Sequence, residues 1–184
     1  MSQTSHSAPK DILDFWEQAG PKTWWTKNDI FDAEIKERFS ETHKAASDGL
    51  LDHWDAEPKS ALALILLLDQ FTRNLNRNSP LAFSQDAKGL TLAKRMIERG
   101  DDEKLDFPLR QFAYLPLMHS EILADQNQCV AICQKLDLPK NLEAAVEHRE
   151  IIEQFGRFPH RNSVLGRKTT PEEQAFLDNG GFRG

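Results

Sequence analysis

Apolar residues recur along this chain at three- and four-residue spacing, and no stretch alternates with the two-residue period of a half-buried strand. The pattern predicts an all-α protein of eight or nine helices. A first helix fits residues 9–19, with Ser7 available as its cap, Pro9 in its first turn and Gly20 as its stop. Trp24 and Trp25 fall in a turn-like segment before a second helix over 29–47, where Phe31, Ile35 and Phe39 share a face. The third, 58–77, opens at Pro58 and is apolar on every side through Ala61–Leu68, which predicts a central, buried position. Further helices fit 80–99, stopped by Gly100, and 107–124, interrupted by Pro116. Two more fit 126–136 and 139–155. The last begins at Thr170, where T-P-E-E provides a cap and Glu173 closes a capping box. Short connections predict antiparallel helix pairs. Residues 1–8 read as a flexible tail and 9–184 as a single helical domain.

Charge and composition narrow the chemistry. A formal charge of −6 over 184 residues excludes broad electrostatic attraction to nucleic acid or an anionic membrane. Any cationic site is therefore local, and a small anion fits it better than a polyanion. The longest apolar run, residues 61–68, is too short to span a bilayer, and the first ten residues lack the apolar core of a signal peptide. Cys129 and Cys133 lie four apart on one helix face, which is neither a redox nor a zinc spacing, and read as small buried hydrophobes in a reducing compartment. These features predict a cytoplasmic protein, and no motif calls for a cofactor or a metal.

Four groups of residues carry possible chemistry. In LDQFTRNLNR, residues 68–77, Asp69, Arg73 and Arg77 recur every four residues, so Asp69 is expected to pair with Arg73 and leave Arg77 for an outside anion. A surface pair with cations near a helix C-terminus accounts for the same spacing. In FAYLPLMHSE, residues 112–121, His119 and Glu121 follow Pro116 and point to different sides unless the helix breaks there. His148 lies on an apolar stripe with Ala144, Ala145, Ile151, Ile152 and Phe155, as a core histidine or an inward-facing ligand group. Finally, FGRFPHRNSVLGRK places Arg157, His160, Arg161, Asn162, Arg167 and Lys168 in a stretch without a single acid. Gly156 suits a left-handed helix end, and Pro159 forces Phe158 to be extended. Anchored guanidinium groups of this kind suit capture of a carboxylate or phosphate.

The segments DFW (14–16), LDQFTRN (68–74), FAYLPLMHSE (112–121) and HREIIEQFGRFPHRNSVLGRKTTPEE (148–173) resemble a bacterial family, domain of unknown function 924. The resemblance covers nearly the whole chain after the polar tail. It implies a tetratricopeptide-like superhelical array of antiparallel helix pairs, although no repeat consensus is visible in the sequence. The family carries no established activity, so a fold is implied and a function is not.

The expected function is binding of an anionic small molecule or peptide carboxylate in a polar cleft. Arg73, Arg77, Arg157 and Arg161 would hold the anion and Asp69 would orient an arginine. His119, His148, His160 and Asn162 would supply directed hydrogen bonds, and Glu121 is counted among the ligand-binding residues. Two other readings stay open. One is an enzyme, with His119 or His160 as general base and arginines stabilising an oxyanion, or with a metal on histidines and a carboxylate. The other is a tetratricopeptide-like interaction scaffold.

Overall fold

A computed structural model describes residues 6–184, and those residues form helices and turns without a strand. The first five residues of the expected tail lie outside the described residues. Ser7 N donates to Thr42 Oγ1 at 3.0 Å and Ala8 N to Asp11 Oδ2 at 2.9 Å. Helix α1 (Pro9–Trp24) is therefore capped by the Asp11 carboxylate, and Ser7 does not cap it. Gly20 interrupts α1 as expected, with φ +69°, and Pro21 restarts a last helical turn that carries Trp24.

Two compact units emerge from the contacts. One comprises the described residues up to Arg77 together with Leu81–Pro116; the other comprises Asn78–Pro80 and Leu117–Gly184. In the first unit, α2 (Asp29–Ser47) is capped by Asn28, whose Oδ1 accepts the amides of Ile30 and Phe31. The expected helix over 58–77 is a continuous rod in three parts: α3 (Pro58–Leu66), a π-helical stretch (Leu67–Phe71) and α4 (Thr72–Leu75). Every residue from Ala61 to Thr72 is buried, in keeping with its all-round apolar surface. The π-helical part arises because Leu67 O takes the amide of Thr72, five residues on, and the Thr72 hydroxyl as well. Trp16 stands at the centre of this unit's core, with Phe71 at 5.4 Å and Phe112 at 5.5 Å between ring centroids.

Where 80–99 was expected to be one helix, a 3-10 turn (Pro80–Phe83) precedes α5 (Asp86–Glu98). The expected helix 107–124 is also broken. A 3-10 turn covers Leu109–Ala113, and Pro116, without an N–H to bond back into that turn, sits in the first turn of a separate short α6, Leu115–Met118.

In the second unit, α7 (Leu123–Lys135) and α8 (Pro139–Phe155) are joined by residues 136–138 and pack along each other. Cys129 and Cys133 are both buried thiols on α7. Gly156 ends α8 with φ +68°, its amide bonding back to Ile152 O. The chain then runs through an extended Phe158 into a 3-10 turn, Pro159–Arg161. Helix α9 (Pro171–Asp178) starts with the expected capping box: Thr170 Oγ1 accepts Glu173 N, and Glu173 Oε2 accepts Thr170 N. Ile151, Ile152 and Phe158 form the core here, flanked by Phe155, Phe176 and Phe182.

Because nothing lies within 4 Å of a Cβ built on Gly156, Gly156→Ala tests backbone strain without a clash. The left-handed conformation predicts a loss of about 1 kcal/mol in urea unfolding. An unchanged midpoint would contradict that origin.

Candidate functional site

Of the sequence-selected residues, Asp69, Arg73 and Arg77 belong to the first unit. Asp69 is buried and pairs with Arg73, Oδ1 to Nη1 at 3.0 Å, while Gln70 Nε2 donates to its Oδ2 at 2.6 Å. Arg73 also reaches Asp86 Oδ1 at 3.0 Å. Arg77 does not continue the row. Helix α4 ends at Leu75, Asn76 leaves helical geometry, and Arg77 turns to form an ion pair with Asp32. The outside anion expected at Arg77 is thus replaced by an internal carboxylate. A cleft of about 380 Å³ in this unit, lined by Asp11, Asp14, Phe15 and Arg38, has its charges similarly engaged. Asp14 pairs with Lys10 and Arg38 with Glu34.

All seven remaining residues lie in the second unit, and their positions depend on two carboxylates. The first is Glu121. Helix α6 has ended at Met118, so His119 and Glu121 sit in a loop and are no longer bound to helical directions. Gln126 Nε2 fixes that loop by donating to Met118 O at 2.7 Å and Ser120 O at 2.6 Å. Glu121 then accepts the Phe158 amide at 2.8 Å and both terminal nitrogens of Arg167, at 2.7 and 3.0 Å. Burial works to raise its carboxyl, but the Arg167 guanidinium and the Phe158 amide outweigh it and hold it below the ordinary carboxylate value.

Glu173 is the second. Arg157 grips it with Nε at 2.6 Å and Nη2 at 2.9 Å, and Asn162 Nδ2 adds a bond at 3.0 Å. With Arg157 as the main cause, its carboxyl falls from the usual 4.5 to about 2. Asn162 links the two halves, because its Oδ1 accepts Arg167 Nε at 3.0 Å. The chain Glu121–Arg167–Asn162–Glu173–Arg157 therefore frames the loop. The basic island contains no acid, yet two of its cations are neutralised by acids from outside it. Arg157, Asn162 and Glu121 serve that frame.

Within the frame stand the histidines. His148 is buried on the inner face of α8, and its Nδ1 lies 2.8 Å from Ala144 O. A carbonyl only accepts, so Nδ1 carries the proton and Nε2 presents its lone pair. His160 has a buried Nδ1 with no hydrogen-bond partner. Burial first, then His119 and Arg161, depress His148 to about 4. Burial, then Arg161 and His148, depress His160 to about 3. Phe158 contacts both His148 and His160, and Arg161 lies over Phe158 while holding the His119 carbonyl, so these three histidines and Arg161 share one neighbourhood. Arg161 is buried, donates from Nη2 to His119 O at 3.0 Å and lies 4.6 Å above the Phe158 ring.

Sequence reasoning missed Phe182, whose ring stands 4.5 Å from His148 and 5.1 Å from His160. A single aromatic in the glycine-rich end GGFRG was the only signal. Among the described residues, no group of three or more histidines, cysteines or acids is arranged to hold a metal ion.

Both depressed carboxyl and imidazole groups make stability acid-sensitive, in different windows. Unfolding restores an ordinary imidazole, so the unfolded chain binds the extra proton between pH 6.5 and about 3, and His160 costs stability as pH falls through that range. His160→Gln should flatten that part of the profile. Glu173 contributes stability present above pH 4.5 and lost toward pH 2, and Glu173→Gln should remove it. Urea unfolding across pH checks both, and an unaltered slope in either variant would contradict the assigned burial or pairing.

Comparison with known proteins extends these observations to the whole chain. A solved protein of unknown function from Agrobacterium tumefaciens has 44% sequence identity and a TM-score of 0.90, over 94% of this chain and 97% of that one. No curated protein matches. Residues 12–181 match the bacterial proteins of unknown function grouped as DUF924, and the chain belongs to that family.

Proposed function

We propose that the protein binds an anionic small molecule or peptide carboxylate at Arg161, with His119, His148 and His160 supplying directed hydrogen bonds. The observation that carries this is the buried, unpartnered Nδ1 of His160 beside a buried guanidinium. Buried polar atoms are nearly always satisfied, and those that are not mark positions where a ligand can complete the bonding. Arg161 brings a positive charge to these histidines, while the frame of Glu121, Arg167, Asn162, Glu173 and Arg157 holds the loop rigid. Preorganisation of this kind favours binding by reducing the entropy lost.

Binding fits His148 and His160 better than general-base catalysis. Imidazoles held at about 4 and about 3 are weak bases at neutral pH, far from the matched value that proton transfer prefers. Uncharged, they still act as neutral donors and acceptors. The same reading takes the fold as a tetratricopeptide-like array, with α7 and α8 as an antiparallel pair across a short link. It places the protein in the cytoplasm, without nucleic-acid or membrane partners. The net charge of −6 and two buried thiols support that placement, and no helix among the described residues is long and apolar enough to cross a membrane.

Isothermal titration with acetate, phenylacetate and inorganic phosphate tests the proposal. Arg161→Ala should weaken the bound anion by at least about tenfold, the effect of losing a charge-assisted hydrogen bond. Arg161→Lys should recover only part of it, because an ammonium lacks the planar fork. The proposal fails if no anion binds the natural protein, or if one binds Arg161→Ala equally well.

A further inference from the structure

Four rings pack against one another beside Arg161. Phe158 lies 5.4 Å from His148 and 5.6 Å from His160, and Phe182 lies 4.5 and 5.1 Å from the same two histidines. All four separations fall in the range of favourable aromatic contact. Their anchoring differs. Phe158 is fully buried, with its amide on Glu121 and its carbonyl on Arg167. His148 is fixed on α8. Phe182, only partly buried, comes from the segment after α9, where residues 181–184 have no regular structure and Arg183 and Gly184 are exposed. That segment is tied back by Gly181 N to Phe176 O and by Arg183 to Leu177 O, and otherwise by the Phe182 ring and the approach of Gly184 to His160. Segments with few buried contacts and exposed backbone are the ones that open at low cost.

Resting on the anion-binding reading above, we propose that Phe182 is an internal stand-in for the aromatic group of the ligand, which is an aryl-bearing carboxylate. The carboxylate goes to Arg161. The aryl group takes the position between His148 and His160 after the 181–184 segment swings away. Neutral imidazole faces suit a neutral aromatic ring, and the fixed charge of Arg161 stands next to them over Phe158. Such a ligand exists either as a free aryl acid or as a peptide ending in phenylalanine. Phe182 competes with it, so the apparent affinity of the natural protein is lowered by the fraction of molecules with the slot filled.

Two variants open the slot in different ways. Phe182→Ala removes the ring. Gly184→Ala keeps it but adds a Cβ 3.1 Å from His160 Cδ2 at a φ of +90°, which strains the segment where it meets His160 and so loosens its hold. Titrations use acetate, phenylacetate and a hexapeptide ending in phenylalanine with its carboxylate unblocked. Both variants should bind phenylacetate or the peptide at least about tenfold more tightly than the natural protein, with acetate unchanged. A gain for phenylacetate alone assigns a free acid, and a gain for the peptide assigns a chain end. If Phe182→Ala fails to fold, by circular dichroism, Gly184→Ala carries the test. Equal aryl affinity in natural and variant proteins overturns the stand-in and leaves anion binding intact. Silence of all three probes in every protein overturns both.

Discussion

The clamp of Glu121 on Arg167 and the Phe158 amide is the interaction on which the second unit's chemistry depends. Phe158 is extended because Pro159 follows it, and an extended residue just past a helix end leaves its amide without a helical acceptor. Glu121 fills that need from 37 residues upstream, and the same carboxylate takes Arg167 from 46 residues downstream. Three segments are thus tied at one point. Breaking one partner of such a pair leaves a partly buried charge unmatched, which costs far more than the intact pair contributes.

Everything chemically distinctive in this unit follows from the clamp being internal. Arg167 and Arg157 are neutralised by Glu121 and Glu173, so they stiffen the loop. Arg161, on the 3-10 turn between them, donates to the His119 carbonyl and lies over the Phe158 ring, and its charge also acts on Glu121. Burial, with the Arg161 charge added to it, lowers both His148 and His160. The guanidinium and imidazole of this loop, with the imidazole of His148 on α8, are the groups on which the proposed recognition rests. The family carries no assigned activity, so the site's geometry is what supplies a functional reading.

Legibility in the sequence tracked the range of the interaction. Helices 29–47 and 139–155, the Gly156 stop and the Thr170 capping box were readable because caps, turns and helical periodicity are settled within a few residues. All-round burial of Ala61–Leu68 was readable from its unbroken apolar run. The π-helical stretch at Leu67–Phe71 was not, since it depends on which carbonyl Thr72 selects in a packed interior. The interruption at Pro116 was foreseen as a kink or split, but not as the loss of most of a helix. At the site, the residue types pointed to the relevant segments. Their division into frame and interior was hidden, because Arg157 and Arg167 have partners 16 and 46 residues away. Asn162, one position from Arg161, has a different task for the same reason.

Hydrogen exchange at the Phe158 amide tests the clamp most directly. The account predicts a protected amide in the natural protein, and in Glu121→Ala a selective loss of protection across 156–168 while the α8 amides keep theirs. An unprotected Phe158 amide in the natural protein, or protection that survives Glu121→Ala, would contradict it.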